Sequence, residues 1–344
     1  MKINTGDTAP AKTNGPSISV PRPPPASSLV YDAFWRFAYE RQEVFFHRMA
    51  GAPRPWTTDV ILQTYRFTNV YRASDRTSQF LIREVVYRGD QCPEEVFFRT
   101  LLFKLFNRIE TWMLLERVLG SVCWSSYSFA DYDSVLGEAI QEGAIYSPAY
   151  IIPSPLSFGH VRKHQNHLRL IEAMMSNGVP QRVMESESLE EVFLILLRFP
   201  GIGKFLAYQF AIDLNYSPLT HHSEMSFVVP GPGALDGIQK CFPEMGNWTP
   251  SDIIRHVTER QEEEFSCRSL AIRSLWGRPL QLIDVQNVFC EIGKYARVAH
   301  PSIPGTSNRK RIKQRFVPRG NSVPSWYPPK WNLNERIIGN QGSR

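Results

Sequence analysis

Phe199-Pro200-Gly201-Ile202-Gly203-Lys204 sits between two apolar runs, Val192 to Leu197 and Phe205 to Leu214, and its reading decides the fold. The first run has helical spacing and stops at a proline that cannot continue a helix. The second begins behind two glycines, which permit the backbone of a tight inter-helix turn. The pattern predicts a helix, a turn and a second helix whose first amide hydrogens are unpaired and lie at the positive end of its dipole. With Lys204 beside them, Gly201 and Gly203 are expected to offer an anion site, with phosphate the obvious anion. Such a turn holds a nucleic-acid backbone without reading its sequence. An ordinary corner in an all-helical core uses the same residues.

At 344 residues the chain is long enough to bury a sizeable core. A formal charge of +6 suits an anionic partner without requiring one. Five scattered cysteines (Cys92, Cys123, Cys241, Cys267, Cys290), never in Cys-x-x-Cys, argue against a zinc ribbon or a secreted disulfide scaffold. No signal-peptide pattern opens the sequence and no apolar run is long enough to cross a bilayer. The expectation is an intracellular protein, cytoplasmic or nuclear, with no membrane partner.

Outward from the turn, three regions are expected. Residues 1–28 are rich in Pro, Ser, Thr and Gly and read as a disordered tail. Residues 29–300 read as one helical domain with the hairpin near 189–214, and residues 301–344 as a basic, partly ordered tail around Arg309-Lys310-Arg311-Ile312-Lys313-Gln314-Arg315. Long helices are predicted over Tyr31 to Met49 and Glu94 to Leu119, with shorter ones over Tyr132 to Glu142, Pro250 to Glu263 and Cys267 to Leu275. Behind the capping signal Trp56-Thr57-Thr58-Asp59, a helical wheel puts Phe67, Val70, Tyr71, Leu81 and Val85 on one side and Arg72, Arg76, Gln79 and Arg83 on the other. Arg66, Arg72 and Arg76 are candidate phosphate contacts, since guanidinium forks match phosphate oxygens; a solvated charged face accounts for them equally well.

His160, His164 and His167 fall on one predicted helical face, a spacing metals use. No carboxylate accompanies them there, and Arg162 and Lys163 repel cations. Lys163, His164 and His167 are therefore expected on a basic DNA-facing surface, with no metal. Gly231 and Gly233, before an apparent helix at Ala234, repeat the logic of the first turn and could cradle a second phosphate. On the helix Leu282 to Arg297 the residues Asp284, Asn287, Glu291, Lys294 and Tyr295 share a stripe beside the core face. Two carboxylates, an amide and a lysine there are candidate acid–base and hydrogen-bonding groups, or an ion network tying helices together.

Several of these motifs, in order, carry a resemblance. Trp56-Thr57-Thr58-Asp59, Tyr65-Arg66-Phe67-Thr68-Asn69, Lys163-His164-x-Asn166-His167, the hairpin, Gly231-Pro232-Gly233-Ala234 and Asp284-x-Gln286-Asn287-x-Phe289-Cys290-Glu291 resemble the helical domain of 5-hydroxymethyl-deoxyuridine DNA kinases. That family is also described as α-glutamyl/putrescinyl thymine pyrophosphorylases, and is similar to helix-hairpin-helix DNA glycosylases. The resemblance implies an all-α glycosylase-like fold and an enzyme of DNA base hypermodification. Its substrate would be duplex DNA with an extruded modified thymine, and its reaction group transfer at a 5-hydroxymethyluracil-derived base. A separate kinase or hydroxymethylase of the same pathway is an implied partner. Some members are fused to a P-loop kinase; no Gly-x-x-x-x-Gly-Lys-[Ser/Thr] occurs here, so kinase chemistry is not expected of this sequence, nor is a cofactor. The glycosylase comparison puts an acid about twenty residues past the hairpin, where Glu224 stands, without the usual Val-Asp-Thr-His context. Asp284, Asn287, Glu291 and Lys294 join Glu224 as implied catalytic residues. Base excision through Glu224, and DNA binding without catalysis, are the competing readings.

Overall fold

The computed structural model describes residues 23–149, 151–318 and 324–341, the side chains of the last three apart. Most of the expected disordered tail, residues 1–22, lies outside them. The described chain is all-helical: α1 (Leu29–Met49), α2 (Val60–Thr64), α3 (Arg76–Phe80), α4 (Pro93–Phe106), α5 (Ile109–Leu119), α6 (Phe129–Glu142), α7 (Lys163–Ser176), α8 (Val179–Met184), α9 (Leu189–Leu197), α10 (Lys204–Asn215), α11 (Pro232–Cys241), α12 (Pro250–Glu259), α13 (Gln261–Cys267), α14 (Leu282–Ala299) and α15 (Asn334–Gln341). Its only β pairings there are isolated bridges.

The core forms where aromatic and aliphatic positions recur at helical spacing. In α1, Phe34, Trp35, Phe37, Ala38 and Phe45 are buried, and Ser28 caps the helix by accepting from the Val30 amide at 3.0 Å. Both α4 and α10 are buried on nearly all sides and run through the interior. Against α14 packs α11 at backbone contact. A Cβ on Gly237 would stand 1.8 Å from the Phe289 carbonyl oxygen, so only glycine allows that approach.

Three predicted elements differ. The helix expected over Glu94 to Leu119 is broken at Asn107, which is left-handed (φ 48°) and ends α4 before α5 begins. Residues 268–281, expected as helix to Leu275, run without one, in keeping with Gly277 at φ +92°. The largest difference is the amphipathic helix read across 65–85. The chain is extended from Tyr65 to Tyr71, makes one 3₁₀ turn (Arg72–Ser74), and then passes through α3 into a π-helical turn (Leu81–Val86). Long-range partners take the backbone groups that a helix would use. The Thr68 amide donates to Glu291 (3.1 Å), the Asn69 amide to Asp75 (2.7 Å) and the Arg72 amide to Asp284 (2.8 Å).

The basic tail packs along this extended segment. The Arg66 amide donates to the Gln314 carbonyl and the Phe316 amide to the Thr64 carbonyl, both at 3.0 Å.

Candidate functional site

At the hairpin, α9 ends at Leu197 and α10 starts at Lys204. Gly201 supplies the left-handed step (φ +78°), and Ile202, 5% exposed, anchors the turn to the core. Gly203 is the N-cap of α10, extended, with no side-chain cap and nothing within 4 Å of where a Cβ would point. Arg198, Gly203 and Lys204 are exposed. The result is an exposed helix start with no side-chain cap and two cations beside it.

A second uncapped start abuts it. Gly231 is the N-cap of α11, and a Cβ there would meet the Phe205 ring, in the first turn of α10, at 2.6 Å. Gly233 has another duty: its missing side chain admits Cys290 of α14, whose Sγ lies 2.2 Å from the Cβ position.

The other residues grouped by sequence as DNA contacts scatter. Arg66 is exposed, and Arg76 is half-exposed, 4.0 Å from Glu110. Arg72 is 4% exposed and turned inward. Of the histidines, His160 precedes α7, while His164 and His167 are fully buried. His164 meets Asp133 at 2.7 Å. His167 lies between the Tyr146 hydroxyl and the Pro153 carbonyl, both at 2.9 Å, and burial lowers its pKa to about 4. His164 ties α7 to α6 and His167 ties it to Tyr146 and Pro153, and neither faces solvent. Lys163, half-buried over the Tyr146 ring (4.1 Å), and exposed Arg162 remain at the surface. Among the described residues no group of three His, Cys, Asp or Glu side chains could hold a metal ion.

The polar stripe of α14 is occupied by the 66–72 segment. Glu291 accepts from the Thr68 amide and from Lys294 (2.6 Å), Lys294 also donates to the Arg66 carbonyl (2.7 Å), and the Asn287 amide donates to the Thr68 hydroxyl (3.1 Å) and the Asn69 carbonyl (2.9 Å). The first turn is different. Asp284 accepts from the Gln281 amide (3.0 Å) in a capping box and from the Arg72 amide, and it opens onto a buried centre of charges.

Six separate stretches build that centre. Arg72 forks onto Asp213 of α10 (2.8 and 2.9 Å) and donates to Gln209 (3.0 Å); Lys104 of α4 stands 3.2 Å from the same carboxylate. Burial pushes the Asp213 carboxyl up, but Arg72 and Lys104 more than reverse this and hold it below the usual range. Glu224 meets Arg278 at 3.1 Å, and burial, only partly opposed by Arg278, Lys330 and Arg72, leaves its pKa raised. Burial and the charge of Glu224 together carry Asp284 to about 7. Two acids therefore share one field, and one of them titrates near neutrality. The sequence marked Glu224 and Asp284 but missed Lys104, Arg278, Lys330 and Tyr216. A glycine and a proline flanking Arg278 are the one local signal of an irregular stretch there, and the sequence reading did not use it.

With this geometry in hand, the comparisons with known proteins are specific. The sequence model of the family described as 5-hmdU DNA kinase, helical domain, matches residues 28–305. The chain belongs to that family. A relative, the 5-hmdU DNA kinase of Bacillus phage SP10, is 25% identical over 305 aligned residues, covering 81% of this chain and 47% of the phage protein. The chain thus spans about half the length of the curated relative it matches. No solved structure matches it. No helix among the described residues is long and apolar enough to cross a membrane.

Proposed function

We propose that this chain is the DNA-holding and base-handling domain of a thymine hypermodification activity, acting on an extruded 5-hydroxymethyluracil-derived base. The observation that carries the reading is the open start of α10, where Gly203 leaves the first amides uncapped beside exposed Lys204. A phosphate is the expected occupant there; Gly231 and Gly233, at the adjoining start of α11, are packed against Phe205 and Cys290. Arg66 and Arg162 are exposed and Lys163 and Arg76 partly so, cations elsewhere on the surface that a DNA backbone would attract.

Chemistry is assigned to the buried centre. Glu224 and Asp284, with raised pKa values, are suited to take a proton from an incoming nucleophile, and Arg278 to steady a departing oxyanion. Asn287, Glu291 and Lys294 then act as positioning groups, holding the 66–72 segment whose Arg72 closes the centre. A second reading, a binding module that presents the base to a separate kinase, is favoured by the 5% exposure of Glu224, which seals it from a substrate in this conformation.

The test is duplex binding across a salt series. Gly203→Asp and Lys204→Glu are expected to weaken binding equally for all sequences, and each to reduce the salt slope by about one. Unchanged affinity and slope in both folded variants would remove the hairpin from the interface. Nucleoside mass spectrometry of 5-hydroxymethyluracil DNA, with Glu224→Gln in parallel, separates the readings. New nucleosides lost in that variant support transfer, abasic sites support excision, and unmodified DNA bound tightly supports the module.

A further inference from the structure

A segment from outside the family-matched region packs against the ion-pair partner of Glu224. Residues 324–338 follow the match, which ends at 305, yet they lie over the acid centre. The Trp331 ring covers the Arg278 guanidinium at 3.8 Å, meets Tyr216 edge-on at 5.5 Å and stacks with Tyr327 at 6.1 Å. Arg278 is the ion-pair partner of Glu224. The indole is therefore an aromatic plane one guanidinium away from the proposed acid.

The contacts of Trp331 differ in kind from those of its neighbours. Tyr327, Leu333 and Ile337 are 0%, 2% and 5% exposed and fasten the segment to the core. Lys330 binds it to the end of α10 through the carbonyls of Asn215, Ser217 (3.0 Å) and Thr220 (2.6 Å). Trp331 is only partly buried, its side chain is held by ring contacts, and its indole N–H has no partner among the described residues. Rotating it outward breaks no hydrogen bond and leaves the anchors in place. Beneath it the Tyr216 hydroxyl is sealed and has no partner among the described residues, a donor and acceptor left without a mate.

We infer that the slot filled by Trp331 is a subsite for a planar, oxygen-bearing base of the pyrimidine-2,4-dione class, and that the indole is a displaceable plug occupying it. The walls suit such a ring. Arg278 offers a flat cation to stack on and N–H donors for a carbonyl oxygen, and Tyr216 offers a hydroxyl. Four cations, Arg72, Lys104, Arg278 and Lys330, face three carboxyls, Asp213, Glu224 and Asp284, so the centre favours electron-rich oxygen over another donor. The assignment rests on the proposed function and deepens it, by placing the base beside Glu224.

The experiment uses the full chain and free 5-hydroxymethyl-2′-deoxyuridine 5′-monophosphate, so that it does not depend on the hairpin. Trp331→Ala is expected to bind the nucleotide about tenfold more tightly than the parent, the gain from opening a site that is open about a tenth of the time. Trp331→Phe should stay near the parent, and Arg278→Met added to Trp331→Ala should abolish the gain. Equal nucleotide affinity in parent and Trp331→Ala, with the melting temperature showing both folded, overturns the assignment. If Trp331→Ala does not fold, ¹⁹F spectra of the parent carrying fluorotryptophan decide. A nucleotide-dependent shift of the Trp331 resonance, assigned with Trp331→Phe, supports the slot, and none at saturating nucleotide refutes it. A nucleotide gain without duplex binding would keep the slot and sink the DNA reading; duplex binding with no nucleotide effect would do the reverse.

Discussion

The two ends of α10 carry opposite kinds of site. At its start the chain is exposed, the groups on offer are backbone amides, and the one buried anchor is Ile202. Toward its other end the groups are side-chain charges, with Asp213 of α10 0% exposed and its cations Arg72 and Lys104 brought from other segments. Twelve residues of helix, about 18 Å, separate the two. An open helix start is inexpensive to keep, since water satisfies its donors. A buried charge cluster holds only while its partners stay matched. Substitutions should therefore act on stability at the far end and on binding at the near end.

The largest expected effect belongs to Arg72. Its guanidinium forks onto Asp213, so Arg72→Met takes two charge-assisted hydrogen bonds from a buried carboxylate, while the backbone amide that donates to Asp284 is kept. Breaking one member of a buried pair costs about 3–5 kcal/mol, readable as a lower urea midpoint. A loss under about 1 kcal/mol would mean that the far end is no more tightly coupled than a surface.

Next in size is a pH dependence. Asp284 has a folded pKa of about 7 against an ordinary 3.8, so between those values the folded state binds more protons than the unfolded. Stability contributed by this group is present at acid pH and is lost as pH rises from about 4 to about 7, at most about 1.4 kcal/mol per pH unit. His167, lowered to about 4, acts in the opposite sense: its contribution is lost as pH falls from about 6.5 toward 4. The measurement is accordingly a difference. Asp284→Asn, compared with the parent by urea unfolding at several pH values, should flatten the decline above pH 4, at a baseline cost of about 1 kcal/mol for one weakened hydrogen bond. Parallel curves would place Asp284 outside the titrating set.

This contrast also governs what the sequence could reveal. The hairpin was legible because a proline, two glycines and an apolar run on either side act locally. Glu224 and Asp284 were picked out through a resemblance and a helical stripe, but their cation Arg278 stands 54 and 6 positions away in a stretch read partly as helix. Arg72 was placed on an outward guanidinium face because the 65–85 pattern fits a helical period. The extended backbone that turns it inward is fixed by Glu291, Asn287 and Asp284, more than two hundred positions on. Helical spacing of His164 and His167 was read well enough, but not which way that face pointed; Asp133 and Tyr146, from other segments, decide it.

A smaller effect returns to the near end. Gly201 is left-handed, and a Cβ there would stand 3.1 Å from Pro155 Cβ, so Gly201→Ala should cost about 1–2 kcal/mol. Gly203 differs: it is extended, with open space around its Cβ direction. Serine is a better N-cap than glycine by a few tenths of a kcal/mol, so Gly203→Ser should leave the protein as stable or slightly more so. Its hydroxyl would accept from one of the first amides of α10, the same donor a phosphate would use. A variant with an unchanged or higher melting temperature and weaker duplex binding would separate fold from function at this helix start. If Gly203→Ser binds DNA as tightly as the parent, with the same salt slope, the first amides of α10 do not hold phosphate, and the near end is only a corner.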